Sequence, residues 1–260
     1  MSTAPTPDSA PPSFERLLLT GAAGGLGRVL RPRLKRLCRV LRASDIAAMD
    51  PAGAGEEGVA AIVHLGGVSV EGPFQPILQA NIVGVHNLYE AARKHGVRRI
   101  VFASSNHVTG FYRQDQVIGP EAPMRPDGHY GLSKAFGENL SRFYFDRYGL
   151  ETVCLRIGSS FPEPKDRRML ATWLSYDDLE RLVAASLTAP VVGHSVIYGL
   201  SDNSTRWWDN TSAAHIGYRP EDSSEPFRAA AEARQPRLDP SDPATRFQGG
   251  GFVTKGPYER

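Results

Sequence analysis

Short apolar runs alternate along this chain with longer segments in which apolar residues recur at helical spacing. The short runs predict strands, and the longer segments predict amphipathic helices. The predicted strands are residues 16–20, 39–45, 59–65, 98–104, 151–157 and 195–198. The predicted helices are residues 25–38, 73–95, 130–148 and 176–189. Strands that alternate with helices in this order are typical of an α/β fold with a parallel sheet.

One connection in this pattern is short. Only residues 46–58 separate the second predicted strand from the third. A doubly wound sheet normally places a helix, a further strand and another helix here, and each parallel crossover needs about a dozen residues. We therefore predict a Rossmann-like, doubly wound parallel sheet in which one edge strand and its helix are missing.

A glycine-rich stretch, Thr20-Gly-Ala-Ala-Gly-Gly-Leu-Gly27, joins the first predicted strand to the first predicted helix. In this context Gly21 allows a tight turn, Gly24 allows a pyrophosphate to approach the backbone, and Gly27 lets helix and strand pack closely. The start of the helix then offers N–H groups to the phosphates. The stretch predicts dinucleotide binding, although a glycine-rich turn without a ligand has the same composition.

Two further stretches fit a dinucleotide. Asp45 follows the glycine turn by about twenty residues, the distance at which an acid meets the adenosine ribose. This favours NAD over NADP, but Arg42 is close enough in sequence to hold a 2′-phosphate, and Asp45 could also be an ordinary loop residue or helix cap. Residues 64–67, His-Leu-Gly-Gly, end the third predicted strand where backbone should pass near the cofactor. We expect His64 itself to be a packing residue.

Tyr130 and Lys134 lie four positions apart on a predicted helix, so they share one face. A tyrosine has a pKa near 10, and we expect a neighbouring ammonium and a positive nicotinamide ring to lower it. Ser105 ends a predicted strand and could hydrogen-bond a reacting hydroxyl. The order of glycine turn, strand-end serine and Tyr130-x-x-x-Lys134 therefore predicts a dehydrogenase in which Tyr130 is the base.

The bulk properties exclude several other classes. The chain has 260 residues and a net charge of +2, which predicts one domain and no nucleic-acid partner. Its two cysteines fit buried thiols, and no metal site is predicted. Residues 1–14 are expected to be a disordered tail without the features of a signal peptide, and no run reaches membrane length. We expect a cytoplasmic protein of one domain, residues 15–260, that becomes irregular after Trp208.

Longer motifs give a specific resemblance. The runs HLGG at 64–67, FASSNHVTGFY at 102–112, RPDGHYGLSKAFGEN at 125–139, RRMLATWLS at 167–175 and RFQGG at 246–250 resemble those of the uronate dehydrogenases, which belong to the extended short-chain dehydrogenase family. This resemblance implies oxidation of glucuronate or galacturonate at C1 by NAD, with an aldaric acid lactone as product.

The resemblance also implies roles for individual residues. Tyr130 would be the base, with Lys134 and Ser105 beside it. The residues implied around the sugar are Ser69, Ser105, Asn106, His107, Ser159 and Arg168. The residues implied at NAD are Gly21, Gly24, Gly25, Leu26, Gly27, Asp45, Ile46, Leu65, Gly66, Gly67, Ser69, Asn81, Lys134 and Ser160. Asn81 would also fix the helix that carries Lys134, and residues from about 159 to 260 would form the substrate side.

Plainer interpretations stay open for several of these positions. Asn106 and His107 could be ordinary turn residues. Arg168 suits the carboxylate of a uronate because its planar fork can pair with both oxygens, but it could instead form a surface ion pair. Trp207 and Trp208 fit a core or an interface better than a sugar platform.

The chain departs from the family at one place. The relatives carry about twenty more residues before the strand at Val59, enough for a crossover, and an acid in that stretch meets the adenine. We expect weaker NAD binding, lower stability, or both. The exposed sheet edge, together with residues 239–260, favours a homo-oligomer. Two rival functions are an NAD-binding protein with impaired catalysis and a nucleotide-sugar epimerase or dehydratase, which would normally have a larger C-terminal lobe.

Overall fold

The computed structural model describes residues 13–45 and 58–258 of the chain. Its strands are β1 (Phe14–Thr20), β2 (Cys38–Ser44), β3 (Ala61–His64), β4 (Arg99–Ser105), β5 (Glu151–Ile157), β6 (Ser159–Ser160), β7 (Trp173–Leu174) and β8 (His194–Gly199). Six of them form one parallel sheet in the order β2-β1-β3-β4-β5-β8, and β6 pairs with β7 in a separate short ladder.

Helices lie between these strands along the chain, and two more follow β8. They are α1 (Gly25–Leu34), α2 (Phe74–Ile77), α3 (Gly84–Lys94), α4 (His129–Tyr148), α5 (Met169–Thr172), α6 (Tyr176–Thr188), α7 (Arg228–Arg234) and α8 (Pro243–Arg246). A π-helical segment, Leu78–Val83, joins α2 to α3 without a break. Short 3₁₀ helices follow β4, at Asn106–Thr109, and lie near the end of the chain, at Gly250–Thr254.

The two faces of the sheet bury different helices. Leu17 and Leu19 of β1 belong to a core with residues of α1 and α6, whereas Leu18 between them belongs to a core with residues of α3 and α4. This division follows from the period of two along a strand, which sends successive side chains to opposite faces. Helices on both faces of a parallel sheet confirm the predicted doubly wound α/β fold.

The boundaries also agree with most of the predictions. The strand β5 has the predicted limits, whereas β1 starts at Phe14, two residues early, because Phe14 already pairs with Cys38. Within residues 13–45 and 58–258, no strand pairs with the outer side of β2. The predicted loss of an edge strand concerns residues 46–57 and stays a prediction. Residues 46–57 and most of the predicted tail, residues 1–12, lie outside the described residues.

Three smaller expectations can also be compared with the fold. Cys38 and Cys154 are buried free thiols, as predicted. The expectation of an irregular chain after Trp208 was wrong, because α7 and α8 form there. Among the described helices, none combines the length and the hydropathy that a membrane crossing requires.

Candidate active site

The helix α4 carries Tyr130 and Lys134 one turn apart at its N-terminal end, under the carboxyl end of β4. Both side chains are buried, at 7% and 5% exposure. The Lys134 Nζ atom lies 5.7 Å from the centre of the Tyr130 ring and donates a hydrogen bond of 2.8 Å to the Ala103 carbonyl on β4. Ser105 ends β4 beside Tyr130, and its hydroxyl lowers the pKa of Tyr130. The three predicted catalytic residues therefore meet at one place.

Burial dominates the electrostatics of this group. It raises the pKa of Tyr130 to about 12; the hydrogen bond with Ser105 lowers it, and the charge of Asp127 raises it further. Burial also lowers the pKa of Lys134 to about 8. The lowering expected from Lys134 and the nicotinamide ring together stays a prediction, because in the protein by itself the loss of solvation has the largest effect on the pKa of Tyr130. A further positive charge beside the ring is needed to favour the phenolate.

The N-terminus of α4 is fixed by an acid that the motifs do not include. Glu71 is buried, and its carboxylate accepts hydrogen bonds from the backbone N–H groups of His129, at 3.1 Å, and Tyr130, at 2.8 Å. Gly128 leaves room for it, because a methyl group there would lie 2.3 Å from Glu71 Oε2. The first turn of α4 is thus tied to a loop that lies 58 residues earlier in the chain.

The glycine turn forms a cradle that suits a pyrophosphate. Gly21 has a φ of +69°, and a methyl group on it would lie 2.7 Å from the Gly66 nitrogen. A methyl group on Gly27 would lie 2.1 Å from the Gly21 carbonyl oxygen, so both positions require glycine. Gly24 is the N-cap residue of α1 and provides no side-chain cap, and the first turn of the helix contains no acid. Gly24 and Gly25 are exposed, and Leu26 is half-buried beside them.

Asp45 lies beside this cradle. Its Oδ2 atom accepts a hydrogen bond of 2.8 Å from the Ala23 backbone N–H, which places the carboxylate at the carboxyl end of β2. The structure therefore brings Asp45 to the glycine turn, where the sequence placed the ribose of a dinucleotide. Ile46 lies outside the described residues.

The turn at residues 65–69 lies between the cradle and α4. Asn81, from the π-helical segment, holds it: its side chain accepts from the Val68 N–H at 2.8 Å and donates to the Val68 carbonyl at 2.9 Å and to Ser133 Oγ at 2.9 Å. Asn81 is 1% exposed, and through these bonds it fixes the turn against α4. Ser69 is exposed on the turn.

His64 has the packing role expected for it. Its Nδ1 atom lies 2.6 Å from Thr20 Oγ1, and its ring stacks on Phe102. Burial and the charge of Lys134 lower the pKa of His64 to about 3, so the ring is neutral. His64 therefore braces the ends of β1 and β3.

A second group of polar residues, separate from those at the glycine turn, surrounds Arg168. Asn106 and His107 are buried in the 3₁₀ helix after β4 and are not exposed turn residues. Arg168 donates from Nε to the Gln248 carbonyl at 2.8 Å and from Nη1 to Ser159 Oγ at 3.3 Å. With the Asn106 amide oriented to satisfy both of its ends, Arg168 Nη2 also donates to the Asn106 oxygen at 2.8 Å.

Arg168 makes no direct ion pair among the described residues. No carboxylate lies within 4.0 Å of its guanidinium in the described part of the chain, so the surface ion pair considered for it does not form there. Burial lowers the pKa of Arg168, against the raising effects of Asp166 and Asp127. Ser160, next to Ser159 on β6, has a buried Oγ without a described partner. These groups can bind an anionic, hydroxyl-rich ligand.

The C-terminal segment, residues 246–258, completes this side. Gln248 is fully buried and bonds Trp208 Nε1 through its amide oxygen at 2.8 Å. The Phe252 ring stacks on His107 with centroids 4.0 Å apart and lies 6.2 Å from the Tyr130 ring. Trp208 is buried against Tyr198, as expected for a core residue. Phe252 was missed from the sequence, because a lone aromatic residue in an irregular segment carries no signal of a site.

Comparisons with known proteins agree with this arrangement. Residues 17–176 match the NAD dependent epimerase/dehydratase family. A uronate dehydrogenase of Pseudomonas putida is 58% identical over 263 residues, which cover 94% of this chain and 98% of that protein. A crystal structure of uronate dehydrogenase from Agrobacterium tumefaciens has a TM-score of 0.89 at 50% identity, over 95% of this chain and 98% of that chain.

A mutant of the Agrobacterium tumefaciens enzyme, solved in complex with NAD, matches with the same TM-score of 0.89 at 50% identity, over 95% of this chain and 99% of that chain. The cradle at residues 20–27 and the set of Ser105, Tyr130 and Lys134 fit the same cofactor. The chain belongs to the NAD dependent epimerase/dehydratase family and, within it, to the uronate dehydrogenases.

Proposed function

We propose that this chain oxidises a free uronic acid, glucuronate or galacturonate, at C1 and forms the aldaric acid lactone with NAD as its cofactor. The observation that carries the proposal is the state of Arg168. Its guanidinium is held by Gln248, Ser159 and Asn106, which are all neutral. A partly buried cation with neutral partners favours an anionic ligand, so it selects a sugar acid over a neutral sugar.

The reacting end is then built around Tyr130. NAD, when bound at the glycine cradle and the 65–69 turn, supplies the acceptor for the hydride and a positive ring. Tyr130 takes the proton of the C1 hydroxyl, and Ser105 orients that hydroxyl by a hydrogen bond. Lys134 holds a positive charge under the ring of Tyr130 and can bind the ribose of the cofactor. Arg168 fixes the opposite end of the sugar, so that C1 lies at Tyr130.

The remaining site residues have supporting roles in this proposal. Ser69, Asn106, His107 and Ser159 bind the hydroxyl groups of the sugar, and Ser160 lies at the cofactor. Residues 159–260 supply the substrate side of a single domain, residues 15–260. The nearness of Ser159 and Arg168 to Asn106 and His107 supports this division.

The test is NADH formation with glucuronate and galacturonate, compared with glucose and galactose at the same concentrations. We expect the acids to be oxidised and the neutral sugars to lose at least about 100-fold in kcat/KM, because a desolvated carboxylate–guanidinium pair is worth several kcal/mol. Tyr130→Phe should lower kcat by about 10²–10⁴-fold, the usual worth of a positioned base. Equal rates on acids and neutral sugars, or near-normal turnover by Tyr130→Phe, would contradict the proposal.

We also propose that the protein works in the cytoplasm as a homo-oligomer. Two buried free cysteines fit a reducing compartment, and the outer side of β2 is a sheet edge in the described structure. Light scattering after size-exclusion chromatography tests the second part. A mass equal to the 28.3 kDa chain would contradict it.

A further inference from the structure

His107 is hydrogen-bonded to a buried acid, Asp127, that is not among the predicted site residues. Its Nδ1 atom lies 2.6 Å from Asp127 Oδ2, and the Asp127 side chain is completely buried. Asp127 comes shortly before Tyr130 in the chain, and its backbone N–H donates to the His107 carbonyl at 3.3 Å. The pair therefore links the segment after β4 to the start of α4.

Three glycines make the space for this carboxylate. A methyl group on Gly110 or on Gly249 would lie 1.9 Å from Asp127 Oδ2, and one on Gly131 would lie 3.0 Å from Oδ1. These glycines come from three separate parts of the chain: the loop after β4, the helix α4 and the C-terminal segment. Without side chains at these positions, the backbone encloses the acid on several sides.

Asp127 is nevertheless poorly satisfied for a buried acid. Its Oδ1 atom has no hydrogen-bond partner among the described residues, and the one side chain bonded to Oδ2 is His107. Asp178, also fully buried, shows the alternative: it accepts from Arg181, from Ser201 and from two backbone N–H groups. A buried carboxylate with one partner costs stability, so a structural role alone does not explain Asp127.

We infer that Asp127 is a positioning residue for the sugar, because it fixes the tautomer of His107. An ionised carboxylate can only accept, so His107 must carry its proton on Nδ1, and Nε2 is left with a lone pair. Stacking on Phe252, with 13° between the rings, holds the imidazole plane. His107 then presents an acceptor that takes a hydroxyl group of the substrate. This inference rests on the proposed function, since it requires a uronate beside Tyr130.

The sugar should therefore bind in one orientation only. A lone pair at His107 Nε2 attracts an O–H donor and repels a carboxylate oxygen, whereas Arg168 attracts the carboxylate. The two residues therefore accept opposite ends of the same molecule. If the tautomer were reversed, Nε2 would donate a hydrogen bond, and an inverted sugar with its carboxylate at His107 would be tolerated.

A double-mutant cycle tests whether Asp127 acts through His107. Asp127→Asn should lower kcat/KM for the uronate by about 10–100-fold, the usual effect of losing a group that orients a functional histidine. In a His107→Ala background the same change should cost less than about threefold, because there is no longer a ring to orient. The NAD dissociation constant should change by less than about twofold in each variant. Asp178→Asn changes a buried acid that bonds none of the proposed site residues. It is the matched control and should cost the same in both backgrounds.

A measurement on the unchanged protein covers the case in which Asp127→Asn does not fold. Long-range ¹H–¹⁵N spectra distinguish the two neutral tautomers, and comparison with His107→Ala assigns the signals among the seven histidines. We expect His107 to carry its proton on Nδ1. An Nε2–H tautomer, or an equal cost of Asp127→Asn with and without His107, would overturn the inference while leaving the proposed function intact. A folded wild-type protein that oxidises no uronate would overturn both.

Discussion

At the scale of single residues, Lys134 is held in a site that disfavours its charge. Its pKa falls from 10.5 to about 8 because it is buried. A base whose folded pKa lies below its unfolded pKa binds fewer protons when folded, so stability rises with pH between these two values. The stability that Lys134 contributes is thus present above about pH 10.5 and lost as the pH falls through about 8. In the proposed mechanism the same charge serves catalysis, which accounts for this cost.

We therefore expect Lys134→Met to abolish turnover and to stabilise the fold at pH 7. The shift corresponds to at most about 3 kcal/mol, from which about 1 kcal/mol is lost with the hydrogen bond to Ala103. The free energy of unfolding can be measured with urea at pH 7, 8, 9 and 10. Lys134→Met should exceed wild type by an amount that decreases as the pH rises. The comparison ends near pH 10, because above that pH the raised pKa of Tyr130 makes stability fall as the pH rises.

The exposed Lys94 supplies the control for this experiment. Lys94→Met removes the same charge from the surface and should leave the pH dependence of unfolding close to that of wild type. A Lys134→Met protein with the wild-type pH slope would mean that Lys134 is not desolvated as the structure indicates.

The sequence and the structure differ in which residues each reveals. Ser105, Tyr130 and Lys134 could be predicted because their order and spacing are imposed by a strand end and one helical turn. No role could be predicted for Asp127, although it lies in the motif at 125–139, or for Glu71, because neither acid has a spacing that points to a partner. Their roles depend on contacts with His107 and with the start of α4, which exist only after the sheet has formed.

At the scale of elements, the position of α4 decides where Tyr130, the proposed base, lies. Glu71 accepts hydrogen bonds from the first two N–H groups of this helix, and its negative charge interacts favourably with the positive end of the helix dipole. The N-cap residue, Gly128, provides no side-chain cap. Glu71 thus acts as a cap supplied by a distant loop, and it aligns α4 with the turn at residues 65–69.

We expect Glu71→Ala to lower both stability and kcat. The loss of a cap costs about 1–2 kcal/mol, and a displaced first turn would move Tyr130, for which we expect about a tenfold loss of kcat. Thermal unfolding and NADH formation measure the two effects. Ser175, which caps α6 through the Asp178 N–H, gives the control: Ser175→Ala should cost similar stability with an unchanged kcat. An equal effect of both variants on kcat would argue against a positioning role for Glu71.

The elements themselves show where periodicity is informative. Residues 151–157 were predicted with the limits of β5 because a run of strand-forming residues, Thr-Val-Cys-Leu at 152–155, lies between Gly149 and Gly158. The π-helical segment that presents Asn81 was missed, since the apolar spacing around it still resembles that of an α-helix. The pairing of β6 with β7 was also missed, because strands of two residues have no period.

At the scale of the whole molecule, the chain lacks a short segment that a similar uronate dehydrogenase has. The match to the Pseudomonas putida protein extends over 263 residues but covers 94% of a chain of 260. Since 94% of 260 is about 244, about 19 residues of that protein have no counterpart here. The connection from β2 to β3 is where the sequence predicts the loss, on the side where an adenine would bind.

This difference predicts a separation between NAD binding and turnover. The residues proposed for chemistry, among them Tyr130 and Arg168, lie at the opposite end of the site from β2, so kcat at saturating NAD should match that of the Pseudomonas putida enzyme within about threefold. The NAD dissociation constant should be at least about tenfold weaker, because losing one or two adenine contacts costs about 1.4 kcal/mol or more. Calorimetric NAD titration and uronate kinetics on both proteins measure the two quantities. Inserting the relative's segment between Asp45 and Gly58 is the matched control and should restore the affinity with little effect on kcat. Equal affinities of the two native proteins would mean that the shorter connection leaves the adenine end of the site intact.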